Sequence, residues 1–569
     1  LQLIDELAML FDEHHINARA SAVIDDAITQ TFETIAAHYN ETLDQQFQMF
    51  AYLSSFISTD SRNELAQAKQ SELRQQAVRL NVLGTRFTAW LGSLDVEALI
   101  ARSACARDHA HMLRRAKIQA THLLSPAEET LAAELSVTGS GSWAKLYNTF
   151  TSQLLVPLEL DGKPPELPMS AIRNLAYDAN RETRRRAYEA ELAAWQKAAV
   201  PIAAALNSLK GEMNTLSKRR QWDSPLDVAL FINSIDRATL DAMMQASREA
   251  FPDFRRYLRA KARALRVPAL AWYDLFAPVS HDDQAWAYDD ARQFICERFG
   301  AYSAKLRGLA ERAFHENWID AEPREGKSGG AFCMRLRGDE SRILTNYKPS
   351  FGAVSTLAHE LGHAYHNLNL AQRTMLQRMT PMTLAETAST FCETIIKNAA
   401  LQKVAPAEQL VILEASLQNN CQIVVDITSR FLFEQQVFDK RRQRDLSIDE
   451  LNAIMLDAQK QTYGDGLDES LLHPYMWAAK SHYYGPAFYN FPYMFGLLFG
   501  LGLYARYQAD AEAFKESYDE LLSATGMYDA AELAARFSID IRSADFWRRS
   551  LDVIRADIDR FVTLVNQKQ

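Results

Sequence analysis

The chain has 569 residues, 48% hydrophobic and 24% charged, with a formal net charge of −10. That composition excludes wholesale disorder, a collagen-like chain and a polytopic membrane protein, and the acidic balance removes the electrostatic footprint of a nucleic-acid binder. There are only 21 glycines and 17 prolines, and twelve of the glycines fall in two stretches, Gly326 to Gly362 and Gly464 to Gly502. Few chain breakers imply long helices, and clustered glycine marks two places where the backbone has a special task.

The five cysteines, Cys105, Cys296, Cys333, Cys392 and Cys421, are odd in number, far apart and without a CxxC pair. They read as reduced thiols of a cytoplasmic protein rather than a disulfide frame or a zinc cluster. The first fifteen residues carry acids and no basic segment before an apolar run, so they read as an amphipathic helix and not a signal peptide. From there to about Arg115 the chain is a series of helical stripes, with Ile24, Ile28, Phe32 and Ile35 recurring at spacings of 4, 4 and 3 and a helix end at Phe56 to Asp60. Thr138 to Ser142 is a turn cluster that closes this helical stretch. Leu154 to Leu160, the Asp161-Gly162-Lys163 turn and a second extended piece read as a β-hairpin, with Pro157 confining the first strand to an edge.

From Asn180 to about Glu322 the pattern returns to helix. The basic runs Arg181 to Arg186 (with Glu182 and Thr183 inside) and Lys440 to Arg444 are short enough to be solvated helix faces. At Gly326 the texture changes to strand, turn and strand, running from Ser328 to Tyr347. Gly326-Lys327-Ser328 has the tail of a phosphate loop, but Ala321 stands where that motif needs glycine, so no nucleotide site is expected. The longest apolar run, Phe491 to Ala505, falls short of the roughly 20 residues of a membrane span and reads as a buried helix.

Directly after the strand-turn-strand segment comes His359-Glu360-Leu361-Gly362-His363. On a helix, His359 and His363 lie about 40° apart around the axis, so both imidazoles leave one face and can share a metal. Val354, Leu357, Ala358, Leu361, Tyr365 and Leu368 supply the stripe that buries this helix. Glu360, about 100° from His359, is placed at the edge of the metal-bearing face, as a general base requires. Catalytic zinc sites take three protein ligands, and the long HExxHxxGxxH pattern fails because His366 and Asn369 occupy its last two positions. A later glutamate is therefore needed, and Glu386 and Glu393 are both on offer. Thr383-x-x-Glu386 is equally a capping box, in which Glu386 would only satisfy a helix start, while Glu393 would face the same way two turns on and could support a ligand. Further along, Lys480 to Tyr493 gathers His482, Tyr483, Tyr484, Tyr489 and Tyr493, imidazole and phenol donors suited to an oxyanion or equally to an aromatic core.

These blocks together resemble the oligoendopeptidase F branch of the thimet oligopeptidase family of zinc peptidases. The residues that carry the likeness are Gly329-Gly330-Ala331-Phe332-Cys333, His359 to His366, Thr380 to Glu393 and His482 to Tyr493. It is most specific from Gly326 to Glu393 and extends over roughly Asn180 to Gly500. The resemblance implies a mainly α fold, a helical ellipsoid with a deep channel and a small hairpin beside the zinc helix. It implies one zinc per chain held by His359, His363 and Glu386, with Glu360 as base. His482, Tyr489 and Tyr493 become the oxyanion and substrate donors, Tyr483 and Tyr484 face and bind the substrate beside them, and Gly329, Gly330 and Ala331 form an edge strand that pairs with the substrate backbone. The expected organisation is a helical amino-terminal domain over 1–115, a helical and hairpin connection over 116–195 and a zinc peptidase domain over 196–569. The expected activity is hydrolysis of internal bonds of short unstructured peptides, with neither nucleic acid nor membrane as partner. A helical zinc carboxypeptidase and a non-catalytic interaction protein with a vestigial HExxH site are the alternatives.

Overall fold

The computed structural model describes residues 2–16, 23–160, 166–280 and 285–568. The protein is mainly α, and its longest helices are Asp26–Thr59, Glu64–Ser93 and Arg181–Arg219. Each starts on a side-chain cap: Asp25 accepts from the Ile28 amide, Asn63 from Ala66, and Asn180 from Glu182 and Thr183. Such a cap contributes about 1 kcal/mol by satisfying amides that have no partner within the helix. The first of these helices ends at Thr59, where the sequence places its stop.

The chain folds into two compact units, each discontinuous in sequence: one made of residues 1–123, 285–400 and 506–540, the other of 124–284, 401–505 and 541–569. In the first unit the amino-terminal helices enclose a core of Phe11, Phe32, Ile35, Phe87, Trp90 and their neighbours, and Ile24 and Ile28 pack against it. These helices also hold the later segments of the same unit. Asn40 Oδ1 accepts from the Leu376 amide, His109 Nε2 lies 2.9 Å from Thr374 Oγ1, and the Arg335 guanidinium sits over the Phe47 ring. A three-stranded sheet has the order Ile319–Asp320, Glu340–Leu344, Phe332–Arg337, with the last pair antiparallel and Cys333 opposite Ile343. From this hairpin the chain passes almost directly into the helix Phe351–Leu370, capped by Ser350.

The structure differs from the sequence expectation at two points and removes one alternative at a third. Gly329, Gly330 and Ala331 are not strand residues; they form the bend leading into the edge strand Phe332–Arg337. The bend exists because Gly330 has φ of +78° and Asn346 Nδ2 donates to the carbonyls of both Ser328 and Gly330 at 3.0 Å. Thr138 to Ser142 is no loop but a junction one residue long, Gly139, between the helices Pro126–Thr138 and Ser140–Ser152. Thr383 lies inside the short helix Met382–Ala385 instead of at its cap, so no capping box forms with Glu386.

The second unit is built around Arg181–Arg219, whose buried face packs on the helices Ser140–Ser152, Ile427–Arg441 and Ile448–Tyr463. Leu155–Pro157 and Glu166–Pro168 pair antiparallel as a two-stranded sheet; the Asp161-Gly162-Lys163 turn expected between them lies outside the described residues. The apolar run forms the helix Phe491–Ala509, buried almost all round from Phe491 to Tyr504, and no helix among the described residues is long and apolar enough to cross a membrane. This unit carries buried charges in pairs. Lys210 Nζ meets Glu434 at 2.6 Å, Lys261 meets Glu414, and Arg184 meets Asp274 at 2.9 Å, with both members of each pair nearly or fully buried. Removing either member would strand the other charge in a low-dielectric interior.

Candidate active site

The helix Phe351–Leu370 buries Val354, Leu357, Ala358, Leu361 and Tyr365, as its stripe requires, and so turns His359 and His363 to one side. Their rings meet edge to face with centroids 4.9 Å apart. Glu386 occupies the joint between the helices Met382–Ala385 and Thr387–Leu401, and its Oε2 lies 3.2 Å from His359 Nε2 and 3.4 Å from His363 Nε2. Two imidazoles and a carboxylate therefore offer three ligand atoms within 4.8 Å of one another. Ligands about 2.0 Å from a tetrahedral zinc stand about 3.3 Å from each other, so both the spacing and the His, His, Glu donor set fit that ion.

The surroundings hold this group in place. Glu393 Oε2 lies 3.1 Å from His359 Nδ1, and its other oxygen accepts from Ser355 Oγ at 3.0 Å. A proton on Nδ1 that is donated to Glu393 leaves Nε2 as the ligand lone pair, the usual carboxylate–histidine support. Ser389 Oγ donates to Glu386 Oε2 at 2.7 Å. Burial opposes an imidazolium at His359, yet Glu386 and Glu393 outweigh it and push the group up to about 10. Burial also opposes the Glu386 carboxylate, and the two imidazoles hold it well below the usual range. The three groups thus balance as proton and carboxylates, and a divalent cation would serve the same charges in place of the proton.

Glu360, the adjoining residue, is 5% exposed, and burial raises its carboxyl pKa against the opposing pull of His359 and His363. Its Oε2 is buried with no hydrogen-bond partner among the described residues. An ionisable oxygen held dry and unpaired beside a ligand cluster has the character of a general base poised to take a proton.

In the second unit His482, Tyr489 and Tyr493 come together, all half-buried. The His482 and Tyr489 rings stack at 5.5 Å, and Tyr493 OH donates to Tyr489 OH at 3.4 Å. Burial first, then the charges of Arg430 and Lys480, lower His482 to about 4, so a neutral imidazole is available to donate. Tyr483 and Tyr484, read from sequence as substrate-facing, are core residues instead. Tyr483 is fully buried, and Tyr484 stacks on Tyr147 at 3.6 Å and donates to the Trp477 carbonyl.

Several supporting residues escape sequence reasoning. Ser355 lies four residues before His359 and Ser389 three after Glu386, helical spacings that put each beside its partner, but serines at such spacing are too common to single out. Phe488 adopts φ of +52°, costly for a non-glycine residue, and its amide donates to Glu434 Oε1 at 3.0 Å, the carboxylate already paired with Lys210. The buried pair thus fixes the backbone immediately before Tyr489. Asp426 sits in a π-helical turn, Gln422–Asp426, between two helices and grips Arg430, whose Nη1 donates to Asn490 Oδ1 at 3.0 Å.

Comparison with known proteins agrees with this geometry. Residues 174–553 match Peptidase family M3 and residues 91–154 match Oligopeptidase F. An oligoendopeptidase F homolog of Lactococcus lactis subsp. lactis (strain IL1403) is 24% identical over 545 residues, covering 92% of this chain and 89% of its own length. Among solved structures, a Chlamydophila abortus chain described as a peptidase superposes with a TM-score of 0.84 at 19% identity, covering 94% of this chain and 91% of that one. Oligoendopeptidase-F from Enterococcus faecium gives a TM-score of 0.73 at 17% identity, covering 100% and 98%. At those identities the structural likeness is one of fold, whereas the family match spans most of the sequence, including the His359 to His363 and His482 to Tyr493 segments. The chain therefore belongs to peptidase family M3, as a metallopeptidase with the Oligopeptidase F amino-terminal region.

Proposed function

We propose that the protein is a zinc-dependent oligoendopeptidase that hydrolyses internal bonds of short, unstructured peptides. The observation that carries this reading is the convergence of His359 Nε2, His363 Nε2 and a Glu386 oxygen at tetrahedral spacing beside the unpaired Glu360 carboxyl. When bound there, zinc supplies a Lewis acid for the scissile carbonyl and makes a water acidic near neutral pH. Glu360 takes the proton of the attacking water and returns it to the leaving amine, so one carboxyl acts first as base and then as acid. Glu393 keeps His359 oriented, and Ser389 does the same for Glu386. His482, Tyr489 and Tyr493 donate to the oxygen on which charge develops, a role supported by their mutual contacts and by the neutral state of His482. Among the described residues no strand pairs with the outer edge of Phe332–Arg337, which can take an extended peptide, and Gly329 and Gly330 in the bend before it have open space where a side chain would stand. Five free cysteines support a reducing, cytoplasmic setting.

The decisive pair of variants is Glu360→Gln and His359→Ala. Glu360→Gln is expected to keep zinc and lose turnover by a factor of at least about 100, the scale of general-base catalysis, while His359→Ala loses both. A fully active Glu360→Gln enzyme would overturn the assignment. Mass spectrometry of a peptide with a blocked carboxyl terminus, digested with and without a chelator, shows whether the cut is internal.

A further inference from the structure

A cavity of about 430 Å³ in the second unit is lined by Arg173, Lys480, Asn419, Gln422, the Tyr177 and Phe276 rings and their neighbours. Its charges are unequally committed. Arg184 is bound to Asp274 and to the carbonyls of Asp178 and Ala179. Asp426 is held by Arg430. Glu191 accepts from Trp195 Nε1 at 3.1 Å and faces His473 Nε2 at 3.4 Å, with Arg173 Nε more distant at 3.7 Å. Arg173 Nη1 reaches the Ala479 carbonyl at 3.3 Å, which brings this guanidinium beside Lys480. Among these charges only the Lys480 ammonium has no hydrogen-bond or ion-pair partner among the described residues, although its Nζ is not sealed from the cavity. An ammonium on a cavity wall, next to a loosely paired guanidinium and two side-chain amides, lacks one negative charge.

We propose that this cavity is a carboxylate subsite for peptides, in which Lys480 pairs with the terminal carboxylate, Arg173 and the amides of Asn419 and Gln422 donate to it, and the Tyr177–Phe276 ring pair borders the last side chain. The inference rests on the peptide-hydrolase reading above and deepens it. One uncompensated positive charge matches a monoanionic carboxylate better than a dianionic phosphate, and a charge-assisted pair in a partly dry cavity is among the stronger polar contacts. Burial and the nearby Arg430 lower Lys480 to about 7 against the pull of Asp426, so an arriving anion also stabilises the charged form. Lys480 lies two residues before His482, which places the subsite next to the donor segment.

The test uses one internally cleaved peptide made as the free acid, as the carboxyl-terminal amide, and as an amide ending in Glu. The wild type is expected to prefer the acid over the plain amide by about tenfold in kcat/KM, through KM. Lys480→Met and Arg173→Gln are expected to lose that preference by slowing only the acid, whereas a general structural defect would slow both peptides alike. If the Glu-ending amide shares the preference and loses it in Lys480→Met, the carboxylate chemistry stands with a side chain as its source. Equal rates for acid and amide in the wild type, or a preference unchanged in both variants, would overturn the proposal. Calorimetry of the acid and amide on Glu360→Gln gives the same ratio as Kd values without turnover. A failure of the peptidase reading would appear separately, as the absence of chelator-sensitive cleavage of any of the three.

Discussion

Gly362 offers the sharpest test of how the ligand group is built. It lies between His359 and His363 on the motif helix and faces the helix Thr387–Leu401, where an added Cβ would stand 2.6 Å from Ser389 Cα, 2.7 Å from the Ala388 carbonyl oxygen and 2.9 Å from the Ser389 amide nitrogen. All three are backbone atoms, so nothing can swing aside. With ordinary contact beginning near 3.4 Å, Gly362→Ala must drive the helices apart by about 0.8 Å, and Ser389 carries Glu386 with it through their hydrogen bond. Metal sites tolerate departures of about 0.2 Å in ligand distance, so the damage falls first on the ion. Overpacking costs about 1–3 kcal/mol, and the better helix propensity of alanine returns about 1 kcal/mol, leaving a net loss of about 0–2 kcal/mol. Zinc affinity is expected to fall by about 10- to 100-fold, the scale seen when ligand supports are disturbed. Competition with a chromophoric chelator measures the affinity, and thermal unfolding measures the fold. Gly308→Ala is the control: a Cβ there meets nothing within 4 Å, so it should stabilise the helix Ala304–His315 by about 0.5–1 kcal/mol and leave zinc binding alone. A Gly362→Ala protein that binds zinc as the wild type does would refute the close-approach argument.

Other parts of the molecule carry their own expectations. Glu393→Gln removes the charge opposite His359 Nδ1 and should weaken zinc binding about tenfold in the chelator competition, an unchanged affinity contradicting its supporting role. Lys210→Met leaves Glu434 buried without its cation and should cost about 3–5 kcal/mol in urea unfolding, whereas Lys210→Met with Glu434→Met should recover most of that loss; equal losses in the two would show that the pair itself matters more than the stranded charge. Burial, aided by the charge of His363, lowers His366 to about 4 from its ordinary 6.5. The unfolded chain therefore takes a proton that the folded chain refuses, so stability is full above about pH 6.5 and falls as the pH drops toward 4. The urea midpoint should show this slope in the wild type and less of it in His366→Asn, and identical slopes would refute it.

How much the sequence could disclose depended on whether the information was local. The spacing of His359 and His363, the stripe of Val354, Leu357 and Leu361, and the stop near Asp60 are properties of a single helix, and each appears in the structure as read. Glu393 was legible for the same reason, being two turns from Glu386. The two discontinuous units were not legible, because which remote helices share a core is decided by complementary surfaces and not by changes of texture along the chain. Tyr483 and Tyr484 show the limit from the other side. Their composition suits a binding surface as well as a core, and only the packing on Phe433 and Tyr147 decides between them. The pairing of Lys210 with Glu434 spans 224 residues, so no motif could have announced the support beneath Phe488.

The position where local reading left two alternatives open also explains how the site is built. Thr383 and Glu386 have capping-box spacing, yet Glu386 ends one short helix and precedes another, with backbone angles of −87° and 6°. A residue inside a helix has its side-chain direction set by the helix register, as His359 and His363 do. A residue at a joint is released from that register and can be aimed across to a neighbouring helix. The start of Thr387–Leu401 adds to this, since the amides of a first helical turn favour a negative charge beside them. The imidazole pair is thus fixed by spacing on one rigid helix, while the carboxylate that completes the candidate metal group gains its direction from a break in another. The two are brought to 3.2 and 3.4 Å by the glycine at which the helices touch. This arrangement separates two kinds of failure: substitution of His359 or His363 removes a candidate ligand, and changes at the joint or at Gly362 leave all three present but misplaced. Chelator competition run beside unfolding distinguishes them, because misplacement lowers metal affinity with little loss of stability.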